Sequence, residues 1–531
     1  MSQPWGYSCK GGLNVNLNQL EMLAQPGFAT ALRNFEVDPD GGYRRLNGFT
    51  PFGDTKPNSS ETNLGMAVYA DGIIVCSGTD IFFSVDGEDA WLQINKASVA
   101  SGGDNYTAFT GRSAAARTSQ GRCTFAIYEG TSDYGEIVIC DGVNEPFLFQ
   151  MTGTGGLESR TFFAKEITVS GTTGPAFGII HDKHLVVAGA STAKNTVYYS
   201  KTNDIDSFTG SGSGSIVLSD AVVGLASFRS DVIIFCKNSI HKLVNINDAT
   251  NVAIVPITTN VGCVDSGSIQ EIGGDILFLA PDGIRTIAGT ARIGDIELSS
   301  VSRPIQKIVS AISRDSNFIV TSGVLRSKSQ YRLFYSKNGE TPSIAKGIIG
   351  TFTPEGFAWS ETLGIQALGF ISGVNIDGIE KIYHADKDGY IYNHDIGNSF
   401  YAAGQATNIA SVYETTDFDF GDVGTRKTLK YAKVSFSPEG AVLPSFRVKF
   451  DYHDITVPQP EPFVITGITL PALFGSAIFN NSKFGATKDP MERITLEGSG
   501  HTCSFKITTD DQLAAFAVNG VYIDYMPAGR R

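Results

Sequence analysis

The sequence predicts an all-β fold: a six- or seven-bladed β-propeller with a β-sandwich-like platform domain formed from the N- and C-terminal segments. Three observations carry this prediction. The 531 residues include 34 Phe, 19 Tyr and 59 Gly against 3 Trp and 6 Met, a composition suited to pleated strands joined by tight turns. Between about residues 65 and 395 one unit recurs: strand, Gly/Asp/Asn turn, very apolar strand, turn, aromatic strand. After about Tyr401 that unit gives way to alternating strands separated by long polar loops such as Pro458 to Pro462.

The recurring units are Gly65 to Asp86, Thr124 to Gln150, Ala176 to Lys201, Val223 to Leu243, Gly267 to Ile287, Asn317 to Lys337 and Gly369 to His394. Their spacing of roughly 40 to 60 residues matches blades that bury their faces against neighbours, with radial closure protecting the edges. The apolar runs Ile73 to Cys76, Ile137 to Cys140, Leu185 to Ala188, Val232 to Phe235 and Ile276 to Leu279 read as inner strands buried on both faces. The aromatic runs after them read as the more amphipathic next strands.

One segment departs from the pattern. Ser302 to Ile312 has a proline near its start and puts Ile305, Ile308, Val309 and Ile312 on one face of period 3.6, which predicts a short helix covering a blade edge. A chain of this length exceeds one core. The domain reading is therefore residues 1–60 as the N-terminal segment of the platform, 61–400 as the propeller and 401–531 as the C-terminal sandwich-like platform, the two outer segments packing together.

Composition also narrows function. A formal charge of -13 argues against a dedicated nucleic-acid binder, because phosphate is held by Lys and Arg. A charged fraction of 18% leaves uncharged surface for other subunits. Seven scattered cysteines without a C-x-x-C pair read as small apolar fillers rather than disulfides or a zinc site. Neither a signal peptide nor a membrane-spanning segment is expected.

Catalytic signatures are not found: there is no Walker A loop, H-E-x-x-H, G-x-S-x-G or dinucleotide fingerprint. His181 and His184 read as a solvated turn rather than a metal site. Ser84 to Trp91 approaches the S-x-D-x-G-x-x-W box of sialidase-type propellers but has Glu88 where Gly should stand, and that box is a turn rather than a catalytic device. Asp386, Asp388 and Gly389, and Asp417, Asp419 and Asp422, invite a calcium reading. An ordinary half-buried strand, with Phe418 and Phe420 facing opposite to Asp417 and Asp419, is favoured for the second group. No catalytic, cofactor or metal residue is assigned.

Several stretches resemble the tail nozzle (tail tubular or stabilisation) proteins of short-tailed bacteriophages. They are Gly12 to Asn16, Gln25 to Asn34 and Gly41 to Gly48 at the start, Val197 to Phe208, Asp231 to Leu243 and Val261 to Ile287 in the middle, and Glu414 to Lys430 towards the end. The resemblance implies a non-enzymatic virion component, assembled in the host cytoplasm. It implies a homo-hexameric ring beneath the adaptor and portal, through whose lumen genomic double-stranded DNA is retained and then conducted, with fibres or spikes attached nearby. It implies no cofactor and no membrane anchor. Six chains at -13 each would give that ring a formal charge of about -78. Candidate subunit-interface residues are Arg426, Lys427 and Lys430, facing Asp417, Asp419 or Asp422 of a neighbour, with a salt-bridge cluster inside one subunit as the simpler reading. The alternative functions are a carbohydrate-binding propeller and, behind it, a glycoside hydrolase.

Overall fold

Strands short enough to be joined by tight turns, and apolar on both faces, bury themselves only when stacked side by side, and radial stacking is what this chain does. The computed structural model describes residues 2–23, 27–39, 41–58, 62–95, 118, 121–129, 134–157, 160–248, 250–287, 300–337, 339–466 and 491–530. Seven strands among them stand innermost about one axis: Asn63–Tyr69, Thr124–Tyr128, Phe177–His181, Val222–Phe228, Gln270–Ile272, Phe318–Leu325 and Gly369–Val374. Contact between the last and the first closes the circle. Six of them belong to free-standing blades, which among the described residues have four strands in five cases and three in the fifth in order. The remaining sector, which starts at Phe318, is the first part of a nine-stranded sheet that runs on into the platform.

Small residues let the blades converge. Gly65, Gly178, Gly224, Gly267 and Gly323 all lie on or beside innermost strands, and a Cβ on Gly267 would stand 2.1 Å from the Val320 carbonyl oxygen. The very apolar runs, expected as inner strands buried on both faces, lie second from the axis, as in Gly72–Ser77, Glu136–Cys140 and Asp231–Cys236. The reason is that an innermost strand turns towards the channel, whereas a second strand is walled by blades on both sides. Ile74, Cys76 and Phe83, for example, meet Ile137, Ile139 and Phe149 of the next blade in one core.

The last blade is completed by Phe49–Pro51, which pairs antiparallel with Ile391–His394, so the N-terminal segment enters the propeller as well as the platform. The platform itself is a sandwich. Its first sheet holds Gln3–Ser8, Phe35–Val37, Tyr43–Arg45, Thr425–Pro438, Met491–Thr495, Ser499–Gly500 and Phe516–Arg530. Its second is the nine-stranded sheet, which after Gly356–Leu363 continues through Ala29–Arg33, Ile409–Thr415, Cys503–Asp511, Ser445–Phe450 and Phe463–Val464. Phe35, Trp359, Tyr413, Phe436, Phe446, Phe505 and Phe516 fill the space between, each such burial contributing about 1.5–3 kcal/mol. Residues 318–363 thus serve both domains.

The short helix is present, a 3₁₀ turn Arg303–Ile305 leading into Gln306–Arg314. Ile305, Val309 and Ile312 are buried with Leu277, Leu279 and Ile284. The helix lies against Gly283–Thr286, the outermost described strand of the three-stranded blade.

Candidate functional site

The six residues singled out at the platform entry do not form one charged patch. The strand Ile409–Thr415 stops early, and Phe418 makes an isolated bridge to Cys503 while stacking on Trp5 at 4.3 Å. Phe420, with φ 55°, turns the chain and packs 4.4 Å from Tyr525. Asp419 accepts the Gly421 amide, and Asp422 accepts the Gly424 amide and the Thr425 hydroxyl, so both carboxylates build their own turns. Asp417 is largely buried, and burial pushes its carboxyl up to about 6, with Glu414 and Asp451 adding to the effect.

The lysine at 427 corrects the expectation most clearly. It is 2% exposed and donates to the carbonyl oxygens of Asp422 and His501 in its own chain, so it does not face a neighbouring subunit. Burial draws its ammonium below the usual lysine range despite Asp419 and Asp422. Arg426 is exposed but bends back to the Ser499 hydroxyl at 3.0 Å, and Lys430 is exposed. The tight turn 419–425 explains this, because it folds the basic segment back beneath the acidic one.

Two other features went unread in the sequence. The first is a buried charge network where propeller meets platform. Glu36, 3% exposed at its side chain, accepts from Arg44, Lys328, Gln330 and Arg332. Arg332 also pairs with Asp395 at 3.1 Å and donates to His394 Nε2 at 2.9 Å, and Arg44 extends to Glu439. Three carboxylates balance three cations across the platform strands, the Gln330–Lys337 strand and the last blade. Burial pushes the neighbouring His384 down to about 3 and His394 well below the usual histidine range. No single stretch of sequence signals this, since its members are separated by up to some 400 residues.

The second is the propeller axis. A cavity of about 290 Å³ is lined by residues of all seven innermost segments. Arg122 of the second blade reaches to Asp265 at 3.0 Å and to the Val320 carbonyl, linking the second blade to the far side of the ring. The axis is therefore spanned by a side chain.

The enzyme-like and metal-like motifs are occupied by structural bonds. His184, expected in a solvated turn, is buried, with Nδ1 at 2.5 Å from the Ser200 carbonyl and Nε2 at 2.9 Å from the Thr202 hydroxyl. Asp386 accepts the amides of Asp388 and Tyr390 on one oxygen and the Tyr392 hydroxyl on the other. Among the described residues no group of three or more His, Cys, Asp or Glu converges as metal ligands do. In the Ser84 to Trp91 stretch, Asp89 accepts from the Thr55 amide and hydroxyl and Trp91 Nε1 donates to the Thr55 carbonyl, pinning the N-terminal segment to the first blade.

No protein-family model matches the chain, and no curated relative matches it. Among solved structures it is similar to the WD40 domain of Neurospora crassa Pan2, at 7% identity over 66% of this chain and 96% of that one, with a TM-score of 0.37. It is similar to Saccharomyces cerevisiae Sqt1 at 9% identity over 66% and 99%, TM-score 0.36. For the AfRom2 CNH domain the values are 10% identity, 66% and 100%, and 0.38.

Proposed function

We propose that the chain is a non-catalytic structural subunit of a bacteriophage tail, six copies of which form the nozzle ring below the adaptor and portal. The ring retains and then conducts genomic DNA and gives attachment to fibres or spikes. The observation that supports this reading best is the way propeller and platform are joined. A shared nine-stranded sheet, the Phe49–Pro51 strand and the buried Glu36–Arg332–Asp395 network make one stiff two-part body, which suits a part that transmits load rather than one that opens around a substrate.

Charge supports the same reading. Residues 61–400 hold 35 of the 54 acidic residues and 24 of the 41 basic ones, so the negative excess lies on the propeller. Arg122 spans the propeller axis, which favours a path for DNA through the lumen enclosed by six subunits over one through the propeller, and a ring of formal charge about -78 limits sticking. A carbohydrate-binding propeller draws less support, since repeated aromatics such as Phe83, Phe149, Phe235 and Phe278 are buried between blades rather than lining pockets. Negative-stain electron microscopy of the purified chain tests the proposal: it predicts six-fold rings with radial projections, and single particles at every concentration would contradict it.

A further inference from the structure

The seven-stranded platform sheet packs its inner face on the core and leaves most of its outer face open. Cross-strand register fixes what that face displays. One row runs Gly6, Tyr522, Lys433, Arg493, and the next runs Pro4, Asp524, Tyr431, Thr495. Tyr522 is 56% exposed, and its ring lies over Gly6, where a Cβ would come within 3.1 Å of it. Met491 and Met526 are 48% and 40% exposed on the same face, and the Arg493 guanidinium sits 4.3 Å over the Tyr431 ring.

We infer that this face is where the chain docks a second copy of itself, against that copy's acidic propeller surface. The inference rests on the ring reading above and names its contact. Tyr, Met and Arg displayed together are the composition of interface cores rather than of ordinary solvated strands. Lys430, Lys433 and Arg493 form no ion pair with any described residue, and the outward rows hold one carboxylate, Asp524. A basic, aromatic face on a chain of formal charge -13 is complementary to the rest of that same chain. Contact between two different surfaces of identical subunits is head-to-tail, and it closes a ring when the rotation allows.

The test compares wild type, the double variant Lys433→Glu/Arg493→Glu, and a control of equal charge change on exposed propeller lysines, Lys194→Glu/Lys237→Glu. Mass photometry reads assembly and thermal melting reads folding. The expected result is that wild type and control assemble, while the face variant needs at least about ten-fold more protein to do so, with unchanged melting. Should the double reversal fail to fold, the uncharged Tyr522→Ser variant is expected to weaken assembly in the same direction. Normal assembly of folded face variants overturns the inference and leaves the ring reading standing. Failure of wild type itself to assemble overturns both. Binding of a duplex DNA probe at low salt that is lost in the face variant also overturns it, because the occupant is then nucleic acid.

Discussion

His394 and His384 meet Nδ1 to Nδ1 at 3.1 Å, and Arg332 decides which of them carries the proton between them. A guanidinium only donates, so His394 Nε2 must accept, which leaves its single proton on Nδ1. That proton points at His384 Nδ1, which therefore accepts. Both rings are held neutral, in opposite tautomers, against a network that is already balanced in charge.

Acid should loosen this junction. Both histidines are depressed below the 6.5 of a free imidazole, His384 to about 3. Their contribution is therefore whole above about pH 6.5 and lost as pH falls towards 3. Asp417, raised from 3.8 to about 6, has the opposite sign: its contribution is present at low pH and lost as pH rises through 6. Glu136, Glu361 and Asp386 are raised as well and share that sign, while Asp71, Asp220, Asp248 and Asp395 are lowered and lose stability in acid with the two histidines, so the melting temperature should fall from pH 7 to pH 4. The fall should be shallower in a His384→Asn variant, whose side-chain oxygen can still accept. A flat wild-type profile would count against the assignment.

Glu36→Ala should be among the costliest single changes. It removes the carboxylate that accepts from Arg332, itself 2% exposed at its side chain. Breaking one side of a buried ion network costs about 3–5 kcal/mol. Denaturant unfolding of the variant measures this, and a loss below about 1 kcal/mol would show that Asp395 alone satisfies the arginine.

Convergence of the blades at Gly267 is testable by one methyl group. A Cβ there meets the Val320 carbonyl and the Arg122 guanidinium at 2.1 Å, and overpacking of this kind costs about 1–3 kcal/mol. Arg122→Ala, which breaks a part-exposed ion pair with Asp265 and a bond to the Val320 carbonyl but leaves the backbone approach intact, should cost about 1 kcal/mol. Equal effects of the two substitutions would contradict the picture of a backbone-limited axis.

All seven cysteines are buried, and burial pushes Cys9 and Cys263 up to about 12 and Cys236 to about 11. A thiol reagent such as DTNB at pH 8 should find none reacting quickly in the native protein and seven in denaturant. Rapid native labelling would indicate an open blade.

Local pattern made the repeats legible: the runs at Ile73 to Cys76 and Val232 to Phe235 are strands because β-branched residues bounded by turn residues have few other options. The helix at 306–314 was equally readable from Ile305, Val309 and Ile312. Sheet membership was not. Lys346–Thr353 and Gly356–Leu363 look like any hairpin, and it is parallel pairing with the distant N-terminal segment, Glu361 with Arg33 and Trp359 with Gly12, that carries them into the platform. Likewise Lys427 reads as an exposed base in a charged stretch, and the turn at Asp419 to Thr425 is what buries it. Lys433 and Arg493 become neighbours through register across 60 residues, and period-2 alternation cannot supply register between distant strands.

Closure of six copies into one ring is tested most directly by the native mass in solution. Sedimentation equilibrium at low salt should give six times the 56.7 kDa chain. A single-chain mass at micromolar concentration, with the fold intact by circular dichroism, would contradict it.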